Sequence, residues 1–121
     1  PDRSNLYSGL NISNKGSKLK EHIDFNFNKS IKKYRYINLL FYLNKNYKKN
    51  HGGIFYIRDH LSKKKISINP VLNKAVIFKT DSFTPHGFTK INSNNRVSLN
   101  MYFYTTKNLS KSKQKHKTIW K

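Results

Sequence analysis

Short segments rich in aromatic and β-branched residues recur along most of the chain, separated by polar turns. The strongest is residues 34–43, YRYINLLFYL, and the others lie at 54–58, 66–68, 75–80, 84–89 and 96–105. Helical periodicity is weak, whereas many short strands at regular spacing are typical of a β-sandwich or barrel. The pattern therefore predicts a mainly all-β fold.

Alternation within the two longest segments indicates which side chains share a face, because successive side chains of a strand point to opposite sides. The first segment has a mixed face made of Tyr36, Asn38, Leu40 and Tyr42. The second has a similar face made of Arg96, Ser98, Asn100 and Tyr102. These residue types are those of a polar pocket. The opposite faces are apolar, and we expect them to form plain core.

The chain divides into three parts by composition. Residues 1–15 are polar and are predicted to be irregular, residues 16–106 hold the strands of one domain, and residues 107–121 form a basic tail that we expect to be mobile. A chain of 121 residues is long enough for one modest core. Because it begins with Pro1 and not Met, we expect elements upstream to be missing.

The formal net charge of +20 raises the question of a nucleic-acid partner. Only Arg3, Arg35, Arg58 and Arg96 are arginines, although arginine is best suited to bidentate phosphate contacts. Lysine is abundant together with asparagine, isoleucine, tyrosine and phenylalanine, and the codons of all five are rich in A and T. A genomic base bias thus explains the charge, and nucleic acid is not favoured as a partner. Arg35 and Arg58 are expected to be solvated, although either could guide a substrate.

The composition also excludes cysteine chemistry and a membrane-spanning helix. The absence of cysteine removes disulfides, thiolate metal sites and thiol nucleophiles. No apolar run approaches the roughly 20 residues of a membrane-spanning helix. We therefore expect a cytoplasmic protein with no membrane partner.

The candidate chemistry lies in an ordered set of four residues. His22 and Asp24 are two positions apart, so on one strand both point the same way, and His86 and Arg96 follow much later. Two histidines and one carboxylate form a facial triad, which holds Fe(II) and leaves coordination positions open. A basic residue such as Arg96 would then pair the far carboxylate of a dicarboxylate co-substrate. Ser98 and Tyr42 could add hydrogen bonds to that carboxylate.

Four ordered motifs extend this set into a family resemblance. They are EHIDFNFN (21–28), INLLFYLNKNYKKNHGG (37–53), AVIFKTDSFTPHGF (75–88) and RVSLNMYFYT (96–105). Together they resemble the prolyl-4-hydroxylase-like branch of the 2-oxoglutarate/Fe(II) oxygenase superfamily. The short tail segment HKTIW (116–120) is similar to the end of bacterial and phage members.

The resemblance implies a fold, a reaction and a site. The fold would be a double-stranded β-helix, a cupin-like jelly roll, with Fe(II) held by His22, Asp24 and His86. Arg96, Tyr42 and Ser98 would bind 2-oxoglutarate. Asn38, which shares a strand face with Tyr42, is a further candidate contact for it. The co-substrate O₂ would be consumed, with ascorbate as a further possible requirement. One departure is that the upstream strand that often helps to line the pocket is barely visible.

Three functions remain open from the sequence. The first is an oxygenase that hydroxylates an unactivated C–H bond, with a peptidyl, prolyl-type substrate by analogy and a small molecule as the other option. The second is a basic β-barrel that binds nucleic acid. The third is a jelly roll that kept the fold and lost turnover.

Overall fold

Two antiparallel sheets form the protein in the computed structural model, which describes residues 7–110 and 114–121. Within these ranges the strands are β1 (Gly9–Ser13), β2 (Leu19–Ile23), β3 (Phe27–Asn28), β4 (Lys33–Tyr42), β5 (Phe55–Arg58), β6 (Lys65–Ile68), β7 (Ala75–Lys79), β8 (His86–Phe88), β9 (Arg96–Thr105) and β10 (Ile119–Trp120). A short 3₁₀ helix covers Lys49–His51. In the described part of the chain, no helix has the length and apolar character needed to cross a bilayer.

Sheet order brings strands from distant parts of the sequence side by side. The first sheet runs β1-β9-β4-β3, with β7 also paired to β4, and the second runs β10-β2-β8-β5-β6. The core lies between them, where Leu40, Tyr42 and Val76 of the first sheet meet Phe55 of the second. The predicted all-β, double-stranded β-helix fold is confirmed, and every predicted strand segment contains a strand.

The inner face of the first sheet is the mixed face predicted from the sequence. Asn38, Leu40 and Tyr42 of β4 and Arg96 and Ser98 of β9 are all buried. The prediction that the opposite, apolar faces form plain core is wrong. They make the outer surface of the sheet, where Leu99 is 37% exposed and Ile77, on the adjacent β7, is 66% exposed. Alternation identified two faces correctly, but which face turns inward depends on where the second sheet lies.

Both predicted flanking segments contain ordered structure. Residues 1–15 were predicted to be irregular, yet β1 pairs along its length with β9, from Gly9 opposite Asn100 to Ser13 opposite Arg96. A polar five-residue segment has little strand signal of its own, and it becomes a strand because β9 offers an unpaired edge. Residues 1–6 lie outside the described residues.

The expectation of a mobile tail is wrong for residues 114–121. Its end forms β10, in which Ile119 pairs with Ile23 and Trp120 with His22. The backbone N–H of Lys121 donates to the carbonyl of Glu21, 2.9 Å away, and extends this pairing. The tail therefore completes the edge of the second sheet beside the predicted metal ligands. Residues 111–113 lie outside the described residues.

Gly52 permits its own loop to approach the loop at Lys90 closely. Its φ of 72° is in the left-handed region, and a Cβ there would clash with the backbone carbonyl oxygen of Lys90. Gly16 has a φ of 89°, but a Cβ there would meet no atom within 4 Å. A side chain at either glycine would therefore strain the backbone, but only a side chain at Gly52 would also clash with another part of the chain.

We predict that Gly52→Ala lowers the free energy of unfolding by about 3 kcal/mol, because a left-handed alanine and a backbone clash add together. Gly16→Ala should lower it by only about 1 kcal/mol, the conformational part alone. Urea denaturation of both variants measures the difference. Equal losses would show that the loop approach at Gly52 carries no stability of its own.

Candidate metal centre

Three potential metal donors from the second sheet and its margin converge on one point. His22 of β2 lies directly opposite His86 of β8 in the strand register, and Asp24 follows the end of β2. The Nε2 atoms of His22 and His86 are 3.3 and 3.4 Å from the two carboxylate oxygens of Asp24. One ligand atom of each residue lies within 4.8 Å of the others, and all three residues are buried. The structure thus brings together the three predicted metal ligands.

Backbone carbonyls fix the orientation of both imidazole rings. The Nδ1 of His22 is 3.0 Å from the carbonyl oxygen of Lys20, and the Nδ1 of His86 is 2.9 Å from that of Thr84. A carbonyl only accepts, so each Nδ1 donates its proton, and a neutral ring then carries its lone pair on Nε2. Each Nε2 faces the carboxylate, so a cation, either a proton on the ring or a metal ion in its place, lies between the nitrogen and the oxygen. The donor set therefore suits a divalent metal ion held by nitrogen and oxygen.

The carboxylate of Asp24 is held ionised by its surroundings. Burial opposes the charge, but hydrogen bonds to His22 and His86 and the positive charge of Arg35 outweigh it, so the pKa of Asp24 is well below its usual range. For His22, burial is likewise outweighed by the hydrogen bonds to Asp24 and Lys20, which raise the pKa of the ring. An ionised carboxylate at neutral pH is the state a metal ligand requires.

Asn38 supports this carboxylate. Its Nδ2 donates to Oδ2 of Asp24 at 2.7 Å, and its Oδ1 accepts from Arg35 Nε at 2.8 Å and from Thr80 Oγ1 at 3.2 Å. Asn38 was predicted to contact the co-substrate. It lines the pocket and orients Asp24, and a contact with the co-substrate stays a prediction.

Arg35 is the residue that sequence reasoning missed. It was expected to be solvated, yet it is 6% exposed, and its guanidinium lies 3.3 Å from Oδ2 of Asp24. The cause is a β-bulge in β4 between Arg35 and Ile37, where the pairing with β9 shifts by one residue. Strict alternation would place Arg35 on the outer face, and the extra residue returns it to the inner face. A scarce arginine next to the polar strand face was the only available signal.

A second cation, Arg96, occupies another part of the same pocket. It is 6% exposed, its Nε donates to the carbonyl of Gly53 at 3.1 Å, and an NH2 proton is donated to the hydroxyl of Tyr42 at 3.1 Å. Burial lowers the pKa of Arg96 and raises the pKa of Tyr42, each moderated by the other group. Ser98 is fully buried on the same face, and its hydroxyl donates to Oδ1 of Asn100 at 2.8 Å.

No carboxylate of the described residues forms an ion pair with Arg96. A buried guanidinium without a counter-ion is costly, because desolvation is not repaid by charge pairing. Its remaining donors suit a bidentate carboxylate from outside the chain. The pocket, with a volume near 270 Å³, is lined by His22, Asp24, His86 and Arg96 together. It has room for a small dicarboxylate between a metal ion and Arg96.

Aromatic rings surround the donors. The ring of Trp120 lies 5.0 Å from that of His22 and is 60% exposed, while the ring of Phe78 lies 4.7 Å from that of His86. These apolar groups limit water around the metal donors and strengthen electrostatic interactions there. Chemically, the arrangement is suited to bind a metal ion and an anion side by side.

Comparison with known proteins agrees with this geometry. The family model described as the 2OG-Fe(II) oxygenase superfamily matches residues 7–104. Among curated proteins, no sequence matches the chain significantly. Solved structures also resemble it in fold, among them three prolyl hydroxylases.

A prolyl 4-hydroxylase from Phytophthora capsici is 20% identical with a TM-score of 0.69, over 84% of this chain and 33% of its own. One from Pseudomonas putida is 21% identical with a TM-score of 0.69, over 80% and 51%. A prolyl hydroxylase from Trichoplax adhaerens, solved with a hypoxia inducible factor oxygen degradation domain peptide fragment, is 23% identical with a TM-score of 0.67, over 78% and 41%.

The chain therefore spans between a third and about half of the length of these structures. At such identities the likeness shows the fold, and the resemblance predicted from the sequence is confirmed. The family match covers most of the chain and supplies the assignment. The chain belongs to the 2OG-Fe(II) oxygenase superfamily.

Proposed function

We propose that this protein is an Fe(II)- and 2-oxoglutarate-dependent dioxygenase that hydroxylates an unactivated C–H bond of a peptidyl, prolyl-type substrate. The observation that carries the proposal is the convergence of His22, Asp24 and His86 within 4.8 Å, with both imidazoles oriented by backbone carbonyls. Membership of the superfamily supports iron as the metal. The peptide complex of the Trichoplax adhaerens enzyme supports a peptide substrate.

In this proposal, His22, Asp24 and His86 hold Fe(II) through two nitrogens and one oxygen. Arg96 forms an ion pair with the far carboxylate of 2-oxoglutarate. The hydroxyl of Tyr42 accepts a hydrogen bond from the guanidinium at 3.1 Å and so fixes the orientation of the guanidinium. Ser98 lies on the same strand face, and it would bind this far carboxylate by exchanging its hydrogen bond to Asn100 for one to the co-substrate. Asn38 and Arg35 keep Asp24 ionised and oriented. These residues position the reactants and need not move a proton.

When bound, ferrous iron supplies the one-electron and O₂ chemistry of the reaction. The overall reaction balances as 2-oxoglutarate, O₂ and R–H giving succinate, CO₂ and R–OH, with one oxygen atom in each organic product. The ring of Phe78 beside His86 limits water at that ligand. Such exclusion favours reaction at the substrate over side reactions.

We predict that His22→Ala lowers the Fe(II)-dependent conversion of 2-oxoglutarate to succinate by about 100-fold or more, because removal of a ligand costs at least as much as removal of a supporting group. His60→Ala, which removes an imidazole that packs on Phe83 and does not line the metal pocket, should retain turnover. Succinate formation under air, with and without Fe(II), measures both variants. Equal rates of succinate formation for wild type and His22→Ala would show that this site does not catalyse the reaction. That result is expected for a jelly roll that has lost turnover.

We predict that Mn(II), a redox-inert stand-in for Fe(II) here, raises the melting temperature of the wild-type protein. Binding to the folded state alone adds about 2.7 kcal/mol of stability at a metal concentration of 100 Kd. His86→Ala should show almost no shift at the same Mn(II) concentration. Thermal unfolding with increasing Mn(II) measures this independently of turnover. An equal shift in both proteins would place the bound metal elsewhere.

We predict that Arg96→Lys raises the KM for 2-oxoglutarate by roughly 10- to 100-fold, because lysine keeps the charge but loses the bidentate geometry. Tyr42→Phe should raise it less, since only one hydrogen-bonding hydroxyl is lost. Steady-state kinetics with 2-oxoglutarate as the varied substrate separates KM from kcat. An unchanged KM in Arg96→Lys would mean that the co-substrate carboxylate binds another group.

A further inference from the structure

Two adjoining grooves lie on the surface beside the candidate metal centre. One, of about 660 Å³, and a second, of about 420 Å³, share the lining residues Phe25, Phe27 and Lys29. The second groove shares Arg35 and Tyr102 with the metal pocket. The two grooves together, which we call the basic trough, therefore adjoin the metal pocket, with Arg35 and Tyr102 at the boundary. Lys115 and Lys117 line its outer end.

Aromatic rings hold two of the cations of the basic trough in place, Lys115 and Arg35. The ammonium group of Lys115 lies 3.8 Å from the ring centre of Phe27. The guanidinium of Arg35 lies 3.9 Å from the ring centre of Tyr102 and 4.9 Å from that of Phe25. These rings therefore use a face to position a charge, and that face is not free to stack on a nucleic-acid base. Positioned cations are suited to recognise carboxylates.

The wall that carries Lys115 and Lys117 is fixed to the site by one buried side chain. Asn26, which is 1% exposed, donates from Nδ2 to the carbonyl of Gln114 at 2.8 Å. Its Oδ1 accepts from the backbone N–H of His116 at 2.9 Å, and its own N–H donates to the carbonyl of His116 at 3.3 Å. Three hydrogen bonds from the residue two positions after Asp24 thus join the tail to the metal centre. The outer cations are therefore part of a built surface.

Nothing acidic among the described lining residues neutralises the basic trough. The whole chain has only five acidic residues against 25 basic ones. Glu21 pairs with Arg58 at 3.0 Å, Asp24 belongs to the metal centre, and Asp59 accepts hydrogen bonds from Ser62 within its own turn. The charged residues among the described lining, Lys29, Arg35, Lys115 and Lys117, are consequently all cationic at neutral pH.

We propose that the basic trough binds an extended acidic peptide and leads its target residue into the metal pocket. The inference rests on the proposed function, since it names the class of peptide on which that site acts. Carboxylates of the peptide pair with Lys29, Lys115 and Lys117. Charge complementarity of this kind sets both the association rate and the choice of partner.

The test uses three fluorescein-labelled 12-residue peptides that share a central proline and differ in flanking residues, which are glutamate, glutamine or lysine. The full chain carries Mn(II) and 2-oxoglutarate, so that binding is measured by anisotropy without turnover. We expect the glutamate peptide to bind at least about 10-fold more tightly than the glutamine peptide at low salt. The lysine peptide should bind least, and the differences should shrink as salt screens the charges.

A matched pair of variants separates the basic trough from the general field of the protein. Lys115→Glu should weaken the glutamate peptide about 5- to 10-fold. Lys74→Glu changes the formal charge equally, but Lys74 borders Tyr42, at the opposite end of β4 and roughly 20 Å along the strand from Arg35. At that distance salt screens its effect, and we expect less than a twofold change. Unchanged melting temperatures confirm that both variants fold.

Three outcomes would overturn the proposal: equal binding of the three peptides, equal weakening by Lys74→Glu and Lys115→Glu, or tighter binding of a 12-nucleotide oligothymidine in the same buffer. The last would assign the basic trough to single-stranded nucleic acid. Failure here is distinct from failure of the proposed function. If the wild-type protein makes succinate but binds the three peptides equally, only the acidic-peptide proposal is wrong. If it binds the glutamate peptide selectively but makes no succinate, only the dioxygenase proposal is wrong.

Discussion

The buried carboxylate of Asp24 is the group on which the rest of the site depends. It accepts a hydrogen bond from Asn38, faces the Nε2 atoms of two histidines and lies 3.3 Å from the guanidinium of Arg35. A buried anion is tolerable only when it is paired and hydrogen-bonded in this way. The same network that stabilises the charge also holds its oxygens toward both imidazoles. Stability of the fold and readiness for a metal ion thus come from one set of contacts.

Two buried arginines divide the pocket by function. Arg35 has its counter-ion within the protein, in Asp24, and two aromatic rings besides. Arg96 has a hydroxyl and a carbonyl as hydrogen-bond partners and no carboxylate among the described residues. An arginine already paired maintains the site, whereas a buried arginine with donors to spare is suited to an external anion. The distinction follows from partners and not from burial, because both side chains are 6% exposed.

The chain end contributes more to the site than its composition suggests. Trp120 pairs with His22 across the edge of the second sheet, and Asn26 holds the preceding tail residues against the loop after Asp24. The lysines of this segment are consequently presented beside the metal pocket. An abundance of lysine that base composition explains can still acquire a role where the fold fixes some of the charges. Geometry, and not the net charge, separates those lysines from the rest.

The sequence by itself determined the strand segments, the mixed inner face of β4 and β9, and the set His22, Asp24, His86 and Arg96. These follow from local alternation and from ordered motifs, which need no knowledge of distant partners. Tertiary structure alone decided the inward turn of Arg35 at a β-bulge, the strand formed by Gly9–Ser13, the outer position of Leu99 and the anchoring of the tail. Each of these depends on which strand or sheet lies alongside, and that pairing joins residues too far apart in sequence for a local pattern to record.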